Sequence, residues 1–184
     1  MRRSVLMIVG LAGLALLSEG CMRAASEGME AVRGGQGAYF EENLLSATPK
    51  DHLALSGYQR IELGEFTNQS GQAMPPEFPT LLAAKFNERL AKSDLPKETS
   101  GKTLLFKVTL IYYEKADLKD SVFGPLEEAV ARAELVDKDT GKVLASGAVV
   151  GRSSQSVGLG PAFKADGMAK ALIKWASDYY PKPK

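Results

Sequence analysis

The side chains able to do chemistry in this 184-residue chain are few and far apart in sequence. There is one cysteine, Cys21, and one histidine, His52. A structural zinc site draws about four ligands from cysteine and histidine, so this inventory excludes one. A Ser-His-Asp relay would need His52 held by a scaffold, whereas it lies in a polar stretch and reads as a solvated loop residue. Carboxylates gather in "DSVFGPLEE" (Asp120–Glu128) and "DKDTG" (Asp137–Gly141), where a hydrolase could place an acid and a base. Carboxylates beside turns are normally solvated, and these are read that way. "VGLGPAF" puts Gly158 and Gly160 ahead of a helix but lacks the third glycine and the lysine of a phosphate loop. "NQS" (Asn68–Ser70) matches a glycosylation acceptor and reads better as a turn. No catalytic, cofactor-binding or metal-ligating residue is assigned. The expectation is a protein that is not an enzyme and carries no cofactor.

Cys21 is the exception, because of where it stands. Arg2 and Arg3 precede an apolar run from Val5 to Leu17, the charged and apolar regions of a secretory signal. The run is shorter than the ~20 residues a membrane-spanning helix needs, so residues 1–20 are expected to be removed as a signal peptide. The end of that segment, Leu17 to Cys21, is similar to a bacterial lipoprotein signal, in which a leucine and two small residues precede an acylated cysteine. Gly20 fits that pattern, while Glu19 and the position of Leu17 depart from it. Ordinary cleavage after Gly20, with Ser18 and Gly20 as the small residues, and an uncleaved anchor are the alternatives. Cysteine arithmetic favours lipidation at Cys21: a lone thiol is out of place in an oxidising compartment, and a thioether to diacylglycerol would consume it.

Loss of residues 1–20 removes Arg2, Arg3 and Glu19, taking the formal charge from +1 to zero. Nucleic acid and anionic surfaces are recognised through clustered positive charge, so neither is expected as a partner. "MRAASEGMEAVRGGQG" (Met22–Gly37) has the small, polar composition of a tether. Residues 21–55 are therefore expected to be a lipidated tether and an irregular lead-in, with one helical turn around Glu41–Leu45. Residues 56–180 are expected to form one domain, and 181–184 a tail.

Within that domain the hydrophobic periods define the elements. Ile61 and Leu63 alternate with Arg60 and Glu62 as in a half-buried strand; Phe66 is out of phase, and a bulge at Gly64 would restore it. Phe78, Leu82, Phe86 and Leu90 recur every four residues and predict a helix over 77–93, with Pro79 in its first turn. Leu104, Phe106, Val108, Leu110 and Tyr112 predict one face of a central strand. Ala129, Ala131, Ala133 and Leu135 face inward on the first arm of a hairpin, with Gly141 in its turn and 143–150 as the return arm. The small side chains predict the close approach of something bulky, such as a helix. Met168, Leu172, Trp175, Ala176 and Tyr179 line one side of a last helix over 165–180. The order is β-α-β-β-β-α: an α/β (α+β) domain with one mixed or antiparallel sheet and both helices on one face.

Three stretches, "IELGEFTNQSG" with "FPTLLAAKFNERL", "VDKDTGKVLASG" and "ADGMAKALIKWASDYY", resemble a domain of unknown function in Gram-negative envelope lipoproteins. That domain is itself similar to the periplasmic domains of the curli-export lipoprotein, the penicillin-binding-protein activator lipoprotein and the TolB N-terminal domain. The resemblance implies a sheet carrying two helices and a role in protein–protein contact at the periplasmic face of the outer membrane. It brings no catalytic residues, and the chain has no spare strands for a membrane-spanning pore.

The expected function is thus a non-enzymatic, outer-membrane-anchored lipoprotein that contacts another envelope protein as adaptor or regulator. The alternative is a soluble periplasmic module binding a small ligand or glycan under the glycine-rich loop. By elimination, the contact surfaces would be the exposed side of the sheet and the loops 69–76 and 153–160.

Overall fold

A computed structural model of the chain describes residues 36–43, 55–114, 128–153 and 160–180. Five strands and two helices follow in the order β1 (Gln36–Asn43), β2 (Arg60–Asn68), α1 (Phe78–Lys92), β3 (Thr103–Tyr113), β4 (Glu128–Asp137), β5 (Val143–Arg152) and α2 (Pro161–Ser177). The strands make one sheet in the order β1-β5-β4-β3-β2. Only β2 and β3 are parallel, joined through α1; the other pairs are antiparallel. The α+β class, the mixed sheet and the six expected elements hold.

The lead-in reading does not. Residues 36–43, expected as the end of a tether and a helical turn, form the edge strand β1 against β5. Its sequence, QGAYFEEN, is too short and too polar to announce a strand. It becomes one through what its alternate residues meet: Tyr39 stacks on Trp175, with ring centroids 5.9 Å apart and planes 17° from parallel, and Glu41 takes the indole N–H of the same residue at 2.5 Å. Tertiary partners here override local propensity.

The helix-facing side of the sheet builds the core. β3 contributes Leu104, Phe106, Val108 and Leu110, all essentially inaccessible. β2 meets them with Ile61, Leu63 and, after a register shift between Leu63 and Phe66, with Phe66 opposite Val108. The bulge expected around Gly64 is there, and it returns Phe66 to the core. Phe86 approaches Phe106 edge-on at 5.7 Å, and Phe78 approaches Tyr113 at 5.3 Å. Such pairs add about 0.5–1.5 kcal/mol each beyond the area they bury.

Across β4 and β5 the pairs facing the helices are small: Ala129 with Gly151, Ala131 with Val149, Ala133 with Gly147. The expected bulky neighbour is α2. A Cβ placed on Gly151 would lie 2.1 Å from the carbonyl oxygen of Lys164, so helix and sheet touch backbone to backbone. α2 also reaches α1, where the guanidinium of Arg89 grips the carboxylate of Asp166 with two hydrogen bonds of 2.8 and 2.7 Å.

One side chain of β3 contradicts its expected orientation. The register with β4 shifts between Leu110 and Tyr112, leaving Ile111 as the extra residue. From there on the faces exchange: Tyr112 is 39 % exposed and Tyr113 is buried at 3 %. A bulge of this kind re-aims everything beyond it.

Candidate functional site

β2 and β3 run parallel; β2 ends at Asn68, level with Leu110, and β3 continues to Tyr113, where β4 begins. Both helices also start at this end of the sheet, since α1 follows β2 and α2 follows the end of β5. In open sheets with parallel strands, ligand sites collect outside the carboxyl ends, and here a groove lies there, lined by Gln72, Ala73, Tyr112, Tyr113 and Glu114.

Local chemistry builds the first wall. Asn68 accepts at Oδ1 from the backbone N–H of Ser70 at 3.0 Å and from its hydroxyl at 2.8 Å. Ser70 Oγ then accepts the N–H of Gln72 at 3.2 Å. Gly71, at φ 68°, makes the turn between them. "NQS" is a turn, as expected, and the turn delivers Gln72 to β3: the Tyr113 N–H donates to Gln72 Oε1 at 3.0 Å. The backbone donor fixes the amide, leaving its NH₂ group away from the strand.

The other wall is Glu114. Its Oε2 accepts the backbone N–H of Glu128 at 3.2 Å, and its carbonyl accepts from the ammonium of Lys164, which is 1 % exposed. That ammonium sits 4.3 Å from the centroid of the Tyr113 ring. A cation over an aromatic face, held by a carbonyl, is a stable way to bury a lysine stem. Lys164 thus braces two residues of the groove without lining it.

Of the carboxylates singled out as hydrolase candidates, Asp137 and Glu128 are engaged elsewhere. Asp137 closes the β4–β5 turn, accepting from the N–H groups of Asp139 at 3.1 Å and Thr140 at 2.9 Å and from the Tyr58 hydroxyl at 2.9 Å. The Thr140 N–H, then Tyr58, hold its pKa below the ordinary carboxylate value. Burial, with the hydrogen bond to Asp137, pushes the Tyr58 hydroxyl up to about 12. Glu128 pairs with Arg152 at 2.8 Å. Among the described residues, no group of three or more His, Cys, Asp or Glu is placed to hold a metal ion. No helix among them is long and apolar enough to cross a membrane.

Cys21 and His52, the acidic residues of 120–127 and Gly158 lie outside the described residues. Gly160 is described and stands at φ 76° ahead of Pro161, the first residue of α2. Of the two loops expected as contact surfaces, 69–76 supplies Gln72 and Ala73 to the groove, while 154–159 lies outside the description. Tyr112 and Glu114 were missed. The signal for Tyr112 was the all-apolar run LIYY, which a single bulge divides between two faces.

The domain is an α+β sandwich of one five-stranded mixed sheet and two helices. No protein-family model matches the chain, and no curated protein does. Among solved structures, the PelC dodecamer from Paraburkholderia phytofirmans aligns at a TM-score of 0.48 and 12 % identity, over 80 % of this chain and 99 % of that one. A point variant of the same dodecamer aligns at 0.45 and 12 %, with the same coverage.

Proposed function

We propose that the chain is a non-enzymatic lipoprotein, anchored through Cys21 at the periplasmic face of the outer membrane, whose α+β domain binds another envelope protein as adaptor or regulator. The observation that carries the reading is where apolar surface remains exposed. Phe40 (62 %), Ile111 (48 %), Tyr112 (39 %) and Val143 (48 %) are the large exposed hydrophobics of the described residues, and every one is on a strand. Both helices bury their apolar residues against the opposite side of the sheet. Alternating with that apolar surface are charges: Glu62 holds Arg60 and Lys138, each at 2.6 Å, and Arg132 pairs with Glu42 at 3.3 Å. Apolar anchors within a polar surround are the usual composition of a protein contact surface. The charged leader, the cysteine behind it and the resemblance to envelope lipoprotein domains support the anchor and the location.

Two measurements test the reading in sequence. Intact mass of the membrane fraction should show wild-type chain beginning at Cys21 with added acyl chains, and Cys21→Ser released or unprocessed. Cross-linking in whole envelopes should then capture a protein partner that Phe40→Asp loses. Wild type that is cleaved but soluble removes the anchor; an anchored chain that cross-links to nothing removes the adaptor role.

A further inference from the structure

The bulge at Ile111 has two effects at one place. It turns the ring of Tyr112 out of the core onto the sheet face opposite Val130, and it leaves the N–H of Tyr113 to be met by a side chain, Gln72. The result is a groove with an accessible aromatic ring, an amide held with its oxygen inward, and a carboxylate, Glu114, with one oxygen committed to Glu128.

The chemistry of these groups selects among ligand classes. An inorganic or phosphate anion would need a cation in the lining; among the described residues the lining has none, and Lys164, which touches Tyr113 and Glu114, is 1 % exposed and already bound to a carbonyl and a ring. A quaternary ammonium wants several open ring faces; Tyr113 is 3 % exposed with an ammonium already above it, and the Gln72 NH₂ would oppose a second cation. A purely apolar ligand would strand the amide and the carboxylate, at a cost in desolvation. A pyranose meets all three demands. Its axial C–H face is apolar and flat enough to lie on an aromatic ring, and each hydroxyl on its rim both donates and accepts, matching an acceptor on one side and a donor on the other.

We propose that this groove is a glycan-binding site for a neutral hexopyranose unit, with Tyr112 as the platform, Glu114 accepting from one hydroxyl and the Gln72 amide donating to another. The site is independent of the anchor, and it shares Tyr112 with the exposed apolar surface of the sheet. Being open, it suits an internal ring of an extended chain, and a contact of one ring implies a Kd on the order of 1 mM, typical of weak sites.

The test is saturation-transfer NMR and chemical-shift titration of the full chain, in detergent, with neutral hexaoses as probes: maltohexaose, cellohexaose and chitohexaose. At least one should bind. Tyr112→Ala should weaken it about tenfold or more and Gln72→Ala by about threefold, while Tyr112→Phe, which keeps the ring, should stay within about twofold. Phe40→Ala, on the distant edge strand, should leave binding unchanged, and near-ultraviolet circular dichroism checks that each variant is folded. Failure of all three hexaoses overturns the proposal, as does binding that survives Tyr112→Ala. Failure here leaves the anchored adaptor untouched, since that stands on the Cys21 mass and the cross-link.

Discussion

Gly37 of β1 and Gly167 of α2 lie in mutual backbone contact: a Cβ on Gly37 would come 1.9 Å from the carbonyl oxygen of Gly167, and one on Gly167 would come 1.9 Å from that of Gln36. Neither neighbour is a side chain that can swing aside. A helical glycine costs about 1 kcal/mol relative to alanine, so Gly167→Ala would stabilise an isolated helix. In this protein the expected sign is reversed, because α2 must retreat from β1 and β5 along its length. Gly167→Ala should destabilise by about 2–3 kcal/mol in urea unfolding, and a gain in stability would show that the helix does not pack this closely.

Arg89 and Asp166 are the polar counterpart, joining α1 to α2. Asp166 is 7 % accessible on its side chain and Arg89 28 %, so removing the arginine takes a two-pronged partner from a nearly buried charge. Arg89→Ala should cost about 2 kcal/mol, less than a fully buried pair because water reaches the guanidinium. In a double-mutant cycle with Asp166→Ala, the coupling should be about 1–2 kcal/mol. A coupling near zero would reduce the fork to a surface pair like Lys85 with Glu88, whose side chains are 35 % and 42 % exposed.

How far these features were legible depended on their range. α1 was written in the spacing of Phe78, Leu82 and Phe86, and β4 in its alternating alanines, because one element's own period determines which face it buries. The small side chains on the inner face of that hairpin even announced a close helix. β1 was not legible, since Tyr39 and Glu41 become strand residues through Trp175 and Tyr179, more than 130 positions away. The groove was invisible for a related reason. A run of four apolar residues fits either phase, and the bulge at Ile111 that chooses between them is a property of the β3–β4 register.

One carboxylate ties the β1 edge strand to the end of α2. Glu41 accepts from the indole N–H of Trp175, which is wholly buried, and from the hydroxyl of Tyr179. Glu41→Ala orphans a buried donor, a loss of about 1–3 kcal/mol, and should free β1 before the rest of the domain. Hydrogen exchange should therefore quicken across residues 36–43 while β3 and β4 keep their protection. Glu41→Gln keeps an acceptor oxygen and should recover most of the protection. Equal loosening of β3 in the alanine variant would mean that β1 and the central strands open as one unit.

The Tyr58–Asp137 contact sets a pH window at both ends. The folded-state pKa of Asp137 lies below its unfolded value, chiefly through the Thr140 N–H, so its contribution is whole above the unfolded carboxylate pKa of about 3.9 and fades as pH falls through the lower, folded value. Tyr58 is the mirror case. Its hydroxyl is raised to about 12 by burial and by Asp137, so its contribution is whole below the unfolded phenol value of about 10 and is lost as pH rises through the folded value. Burial raises Tyr39, Tyr179 and Tyr180 in the same direction. Absorbance at the phenolate band should accordingly show Tyr39, Tyr58, Tyr179 and Tyr180 ionising above the normal range, some only as the domain unfolds. Asp137→Asn should lower the Tyr58 midpoint toward 10 and flatten the acid limb of the stability curve. A Tyr58 midpoint unchanged by that substitution would place the whole of its shift in burial and none in the carboxylate.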